Sequence, residues 1–345
     1  MAITNSDLPF LLERVAGRFP NSRVRADAQP QTGTLDSIIA EQTADIRAFG
    51  LPDEQSSFVT WMLDCGVTPL ACTDDCAFTG PDVSTFKQTA SIDQCRENSF
   101  GIPYDAWRKN EFDMMDAVAV KLDRIMRDHL LFVEQYSVGI INANAGINSA
   151  PGSVPLTWTD ASGVITIPGS QADSTAIFGF IQRLGITNLF DDPYLLSGAA
   201  LAQLQYIATT SGANGEGKGD AFRMSQMRTY FDLFNIDLVN TPNLDFYQID
   251  RGILAFGSKG YYPLVNDPMN PGTQADTMSY GKVRFSVQNR WVPELIHDIM
   301  VEDRCGSGLE KQFWNVKTRY KTLAAPAGCL ANNTGILRFR LDQAV

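Results

Sequence analysis

Cys65, Cys72 and Cys76 fall within "DCGVTPLACTDDC", and Cys95 follows in "SIDQCRENSF", so four of the six cysteines share one short region. Thiols this close could hold a metal, exchange electrons or form disulfides. Six residues separate Cys65 from Cys72, three separate Cys72 from Cys76, and eighteen separate Cys76 from Cys95. A structural zinc site needs a second closely spaced pair to complete its ligands. Cys72 and Cys76 make one such pair, but no second pair and no histidine lies nearby. The C-x-x-C spacing of dithiol redox centres is missing. Disulfides and plain buried thiols remain. In an extended strand Cys72 and Cys76 would lie more than ~12 Å apart, beyond the ~7 Å Cα limit for a bridge. A turn at Thr73-Asp74-Asp75 removes that obstacle. Cys305 and Cys329 lie far away in the chain and could pair with these or with nothing.

Other motifs fail on context. Gly212-x-x-x-x-Gly217-Lys218 has phosphate-loop spacing, but Gly219 stands where Ser or Thr should hold magnesium. The preceding "AALAQLQYIATT" reads as helix, whereas such a loop should follow a buried strand. Lys218 is therefore the residue of a competing reading, a cytoplasmic phosphate-binding enzyme. The chain has two histidines, His129 and His297. His129 falls on an apolar helical stripe, where a core role satisfied by a neighbour is the plain reading. His297 is followed by Asp298, but adjacency alone builds no catalytic relay. No G-x-S-x-G, H-E-x-x-H or C-x-x-C occurs, so the sequence offers neither a catalytic set nor a reason to expect a cofactor.

The formal net charge is -11, from 28 basic and 39 acidic residues. Residues 1–100 carry 7 basic and 14 acidic side chains, residues 101–244 carry 9 and 15, and residues 245–345 carry 12 and 10. This balance argues against a dedicated nucleic-acid reader, which needs a basic face. One local exception holds Arg14, Arg18, Arg23 and Arg25, read either as a solvated arm or as one touching polyanion. The first residues lack a basic stretch followed by an apolar one, which leads to the expectation of cytoplasmic synthesis with reduced thiols. No run approaches the ~20 apolar residues of a membrane span.

The elements that must position these residues are mixed. The 345 residues are enough for two domains. Residues 34–50 have helical periodicity, with Gly50 as a stop. Residues 51–103 are rich in Thr, Ser, Asp, Gly and Pro, with the strand-prone runs "SSFVTWML" and "STFKQTAS", and read as an extended hairpin-like loop holding the cysteines. In "EFDMMDAVAVKLDRIMRDHLLFVEQYSVGII", Phe112, Met115, Val118, Leu122, Ile125, His129, Phe132 and Tyr136 recur every three or four residues. Asp113, Asp116, Asp123, Arg124, Arg127 and Glu134 fall largely off that stripe, which predicts one amphipathic helix of about 30 residues, roughly 45 Å. Residues 156–169 predict a hairpin. Residues 173–188, 193–209 and 221–234 predict helices. The last hundred residues turn to strand character. Helices and strands do not alternate regularly, which predicts an α+β fold.

The order of a polar arm, an extended loop, one long helix, a mixed domain and returning strands resembles the major capsid proteins of tailed bacteriophages with the Hong Kong 97-type fold. "EFDMMDAVAVKLDRIMRDHLLFVEQ" looks like that family's spine helix. "DDPYLLSGAALAQLQYIA" and "RTYFDLFNIDLVN" resemble parts of its axial domain, and "GILAFGSKGYYPL" resembles a strand that follows. The likeness covers about residue 50 to 345.

That resemblance implies an N-terminal arm and helix over 1–50, and an extended loop over 51–103 lying on a neighbouring subunit. It implies a peripheral domain over 104–169, an axial domain over 170–250, a return to the peripheral domain over 251–300, and axial strands over 301–345. Phe58, Trp61, Phe78 and Phe86 of the loop would contact other subunits, as would Leu63. Lys87 sits in the loop, but no cross-linking motif carries over to it. The implied partners are copies of the chain in hexameric and pentameric capsomers, with scaffolding, portal and decoration proteins, and packaged double-stranded DNA met non-specifically. Arg14, Arg18, Arg23 and Arg25 would face that DNA. The implied location is the virion, assembled in the host cytoplasm, with no membrane partner. An encapsulin-type compartment shell is the alternative within the fold.

In this setting Cys65, Cys72, Cys76 and Cys95 read as local reinforcement, oxidised after leaving the reducing cytoplasm. Non-reducing peptide mass spectrometry of purified particles should then find at least one linkage among these four. Four free thiols would remove the reinforcement.

Overall fold

The computed structural model describes residues 32–43, 57–63, 86–103, 111–146, 163–168, 176–201, 228–262, 264, 276–278, 282–306, 309–325 and 334–342. Its central element is the predicted long helix, α2, Glu111–Asn144, preceded in the chain by α1, Gly33–Glu41. The 34 residues of α2 make a rod of about 51 Å. One side of the rod is apolar along its described length. Val118, Leu122, Ile125, Met126, Leu130, Val133, Val138 and Ile141 are buried.

The two halves of that stripe enter different cores. Val118 to Met126 pack against a six-stranded antiparallel sheet, with Phe285, Val287, Ile299, Val301, Trp314 and Val316 beneath them. Its strands are β3 (Gln94–Pro103), β8 (Leu254–Ser258), β9 (Asp276–Met278), β10 (Lys282–Gln288), β11 (Ile296–Gly306) and β12 (Leu309–Ala324). Their order is β3-β12-β11-β10-β9, and β8 pairs with the end of β12. Strand β12 alternates buried and half-buried residues, the mark of a sheet with one face packed and one facing water. The outer face carries cross-strand ion pairs such as Lys282–Glu302 at 3.1 Å and Lys317–Glu97 at 3.2 Å.

Leu130 to Ile141 enter a second core with Leu35 and Ile38 of α1 and with Tyr194, Leu196, Tyr247 and Ile249. The last four belong to a five-stranded sheet of order β4-β13-β7-β5-β6. These strands are β4 (Val164–Ile167), β5 (Tyr194–Ser197), β6 (Thr229–Phe231), β7 (Leu244–Ile249) and β13 (Ile336–Leu341). Helix α3, Ala176–Thr187, covers the other face through Ile177, Phe178, Ile181 and Leu184. The short α4, Asn235–Asn240, follows β6. Asp245 of β7 is fully buried and held by Arg338 and Arg340 of β13, with Arg340 Nε 2.9 Å away.

The mixed α+β reading therefore holds, and several local expectations need correction. Helix α1 ends at Glu41, because Gln42 turns to extended backbone and its Oε1 accepts the Phe256 amide at 3.2 Å. Residues 44–50 lie outside the described part. The helix expected over 193–209 begins with β5, whose four residues are all buried. An uninterrupted apolar run has no period to separate buried strand from buried helix. Likewise Thr229–Phe231 of the expected 221–234 helix is the edge strand β6. Of the expected 156–169 hairpin only the second strand, β4, is among the described residues, and it pairs in parallel with β13. Within α2, Phe132 is exposed, whereas Asp123 and Glu134 are buried. The strands over 301–345 divide between the sheets. The sixteen residues of β12 are long enough to pair with β11, β3 and β8, while β13 joins the other sheet.

Of the region read as a hairpin-like loop over 51–103, residues 94–103 are β3 of the six-stranded sheet, and the two earlier strands pair with each other. β1 (Ser57–Leu63) and β2 (Phe86–Ser91) pair antiparallel, from Ser57↔Ser91 to Leu63↔Phe86.

Because the first core is dense around α2, Leu122→Ala should cost about 2–5 kcal/mol in urea unfolding. Val120→Ala, on the exposed side, should stay within about 0.5 kcal/mol.

Candidate functional site

Among the described residues, those proposed for chemistry do not gather into one site. Cys65, Cys72, Cys76, Phe78, Lys218 and Arg14, Arg18, Arg23 and Arg25 lie outside the described residues. Phe58, Trp61, Phe86 and Lys87 are placed as backbone on the β1–β2 hairpin, with Phe58 opposite Ala90 and Lys87 opposite Met62. Cys95 is an exposed free thiol on β3, across from Arg319. Among the described residues no group of three His, Cys, Asp or Glu side chains could hold a metal ion. No described helix is long and apolar enough to cross a membrane.

The two histidines, far apart in sequence, meet on one hydroxyl. His129 Nδ1 lies 2.7 Å and His297 Nδ1 2.6 Å from Thr318 Oγ1. The proton positions follow from the partners. Asn289 Oδ1 accepts the amides of Trp291 and Val292 at 2.9 and 3.2 Å, which turns its Nδ2 toward His297 Nε2, 2.9 Å away. His297 must then carry its proton on Nδ1 and donate it to Thr318. The Thr318 hydroxyl donates onward to His129 Nδ1, and His129 keeps its proton on Nε2, which meets no partner. A hydroxyl bonded to an imidazole is a nucleophile–base arrangement in principle. Here His129, His297 and Thr318 are all fully buried, so no substrate can reach them.

This chain of bonds marks the change between the two cores. His129 lies between Met126, in the first core, and Leu130, in the second. Thr318 lies between Val316 and Tyr320 in the same sense. The plain reading of His129 as a core residue satisfied by a neighbour is thus correct for one of its nitrogens. Sequence reasoning missed Thr318, because nothing in its local pattern separates it from other inward residues of a strand.

The surface carries a different kind of site. Phe231, Leu233, Phe234, Leu238 and Val239 are each between 36% and 50% exposed, all within nine residues of β6, the following turn and α4. Ile186 and Leu189 are 68% and 70% exposed at the end of α3. Leu189 sits at φ +60°, where glycine is usual, although Phe190 N–H reaches Gly185 O at 2.9 Å to close the helix end. Leu189 lies in the turn that leads toward β5, while Phe231 pairs with the last residue of that strand, Ser197. Exposed apolar side chains grouped in this way are surfaces available for contact with another molecule. In the sequence, "TYFDLFNIDLVN" shows many apolar residues but not which of them lack a core to enter.

No protein-family model matches the sequence, and no curated protein matches it. Among solved structures, a chain from Mycobacterium phage Adephagia is 11% identical, with 94% of each chain covered and a TM-score of 0.47. The capsid structure of the cyanophage P-SCSP1u is 10% identical, covering 94% of this chain and 92% of that one, with a TM-score of 0.47. The cyanophage A-1(L) capsid asymmetric unit is 12% identical, covering 93% and 94%, with a TM-score of 0.46. At scores and identities this low, the likenesses by themselves assign neither fold nor function.

Burial lowers His129 from 6.5 to about 4 and His297 to about 3. Between those values the unfolded chain binds more protons than the folded one. The contribution of this joint is therefore complete above pH 6.5 and declines as pH falls, by about 1.4 kcal/mol per pH unit for each site. In denaturant unfolding from about pH 6.5 to about pH 5, wild type should lose about 1.4 kcal/mol more per pH unit than His129→Gln. An unchanged drop would place the titration elsewhere. Thr318→Val, which strands both imidazoles, should cost about 1–3 kcal/mol at neutral pH.

Proposed function

We propose that the chain is a shell-forming structural protein, the major coat subunit of a tailed-phage head of the Hong Kong 97 type. The observation that carries this reading is the exposure of two separate groups of apolar side chains, Phe231 to Val239 and Ile186 with Leu189. Two different patches on one chain favour head-to-tail contacts between copies, and such contacts close into rings when the rotation permits. Capsomer rings of six and five copies are the arrangement the resemblance implies.

The internal architecture supports the same reading. A rigid helix running beneath two sheets suits a subunit that must keep its shape while bonded on several sides. In this reading α2 and the six-stranded sheet form the peripheral unit. The five-stranded sheet with α3 and α4 forms the axial unit at the capsomer centre. The β1–β2 hairpin is the extended loop that lies on a neighbour, where Phe58, Trp61, Phe78 and Phe86 find partners. The role is structural rather than enzymatic, the cargo is double-stranded DNA, and the mature particle is the virion head.

Sedimentation of the purified chain, alone and with a scaffolding partner, should reveal species far above the 38.0 kDa monomer. Leu238→Asp and Leu189→Asp should each weaken association by on the order of 2 kcal/mol while leaving the circular dichroism spectrum unchanged. Undiminished assembly in both variants would remove these surfaces from the contact. A chain that stays monomeric under every condition would end the shell reading.

A further inference from the structure

Helix α1 begins on two buried carboxylates that come from different elements. The Leu35 amide donates to Glu134 Oε2 of α2 at 3.0 Å. The Thr34 amide and hydroxyl donate to Asp232 Oδ2, just after β6, at 3.3 and 2.7 Å. The two acids are unequally served. Asp232 also accepts the Asn235 amide and side-chain Nδ2, each at 3.0 Å. Glu134 Oε1 is buried and meets no partner. Both side chains are fully buried.

Among the described residues the charge acting on Glu134 is of one sign. Asp232 from the β6–α4 turn and Asp36 from α1 face Glu134, and Glu294 acts on Asp36 in turn. None of the described ion pairs reaches Glu134 or Asp232. The other end of α1 differs, since Glu41 pairs with Arg228 at 2.6 Å and with Arg251 at 3.7 Å. Two buried carboxylates with no cation between them cannot both stay ionised without a large cost.

We propose that Glu134 and Asp232 form a proton-linked clasp on α1, closed while Glu134 carries a proton and opened when that proton leaves. On opening, the Glu134 O–H bond breaks, the proton passes to water, and the new carboxylate gains solvent only by displacing the end of α1. The clasp lies beside the apolar surface, since Asp232 sits between Phe231 and Leu233. It is independent of whether the chain forms shells.

The sign follows from the environment. Burial, and then the charge of Asp232, raise the Glu134 carboxyl well above its ordinary value of 4.5. The docked state is therefore fully stable below the ordinary value of 4.5 and loses stability as pH rises from there toward the raised value, about tenfold in the closed-to-open ratio per pH unit across that interval. Gly33 supplies a control for the open state. A Cβ there would lie 2.1 Å from the Phe231 carbonyl oxygen, so Gly33→Ala pushes α1 away at any pH.

Hydrogen exchange of the full chain, corrected for intrinsic rate, would follow the amides of residues 33–41 from about pH 5 to about pH 9. Wild type should lose protection there as pH rises, toward the level of Gly33→Ala, while Val118 to Met126 stay protected. Glu134→Gln should keep α1 protected throughout. Asp36→Asn, which removes one facing charge and no clasp bond, should leave α1 better protected than in wild type at high pH, because the ionised Glu134 is then repelled less. Protection in wild type that ignores pH would overturn the clasp, as would a Glu134→Gln variant that keeps the wild-type loss. If Glu134→Gln fails to fold, Asp36→Asn decides, and a high-pH loss equal to that of wild type counts against the clasp.

Discussion

One long helix must bury a single stripe against two separate cores, and the rest of the fold answers to that demand. Val118 to Met126 of α2 close the six-stranded sheet, and Leu130 to Ile141 close the second core with α1 and the five-stranded sheet. A rod of about 51 Å curves only gently, and a sharp kink to suit each sheet would break its hydrogen bonds. The sheets must instead come to the helix, and β12, long enough to reach both cores, brings them.

Polar groups set the register where packing alone would allow sliding. The Asn289–His297–Thr318–His129 chain fixes the seam between the cores, and Glu134 fixes where α1 begins. Neither adds much net stability, since buried polar groups mainly avoid the loss incurred when unpaired. Both are specific in direction and distance, which apolar contact is not. They also respond to pH with opposite sign. The histidines weaken the fold as pH falls, and the carboxyl weakens the hold on α1 as pH rises.

The sequence made the large elements legible and the polar details illegible, for physical reasons. The period of α2 is plain because thirty-odd residues repeat one pattern. The hairpin strands are plain because "SSFVTWML" and "STFKQTAS" combine β-prone residues with turn-rich flanks. Tyr194 to Ser197 misled because a four-residue buried strand is apolar on both sides. Glu134 and Asp123 looked like solvent-side residues because charge normally marks that side; only tertiary neighbours show otherwise. Arg127 Nε sits 2.8 Å from Asp123, and the Leu35 amide reaches Glu134. The apolar surface could not be read either. Phe231 and Phe246 are alike in sequence, and only the fold shows that one sits half-exposed at a sheet edge and the other lies under α3. The cysteines that first suggested metal or redox chemistry are the part least changed, with Cys95 a free thiol and the others outside the described residues.

A helix-braced body with exposed apolar side chains at Phe231 to Val239 and at Ile186 and Leu189 has surfaces to offer to its own copies. Electron microscopy of the purified chain, with its scaffolding partner where one is needed, tests this most directly. The shell account predicts closed particles built from rings of six and five copies. A uniform population of isolated 38.0 kDa subunits under all assembly conditions would contradict it.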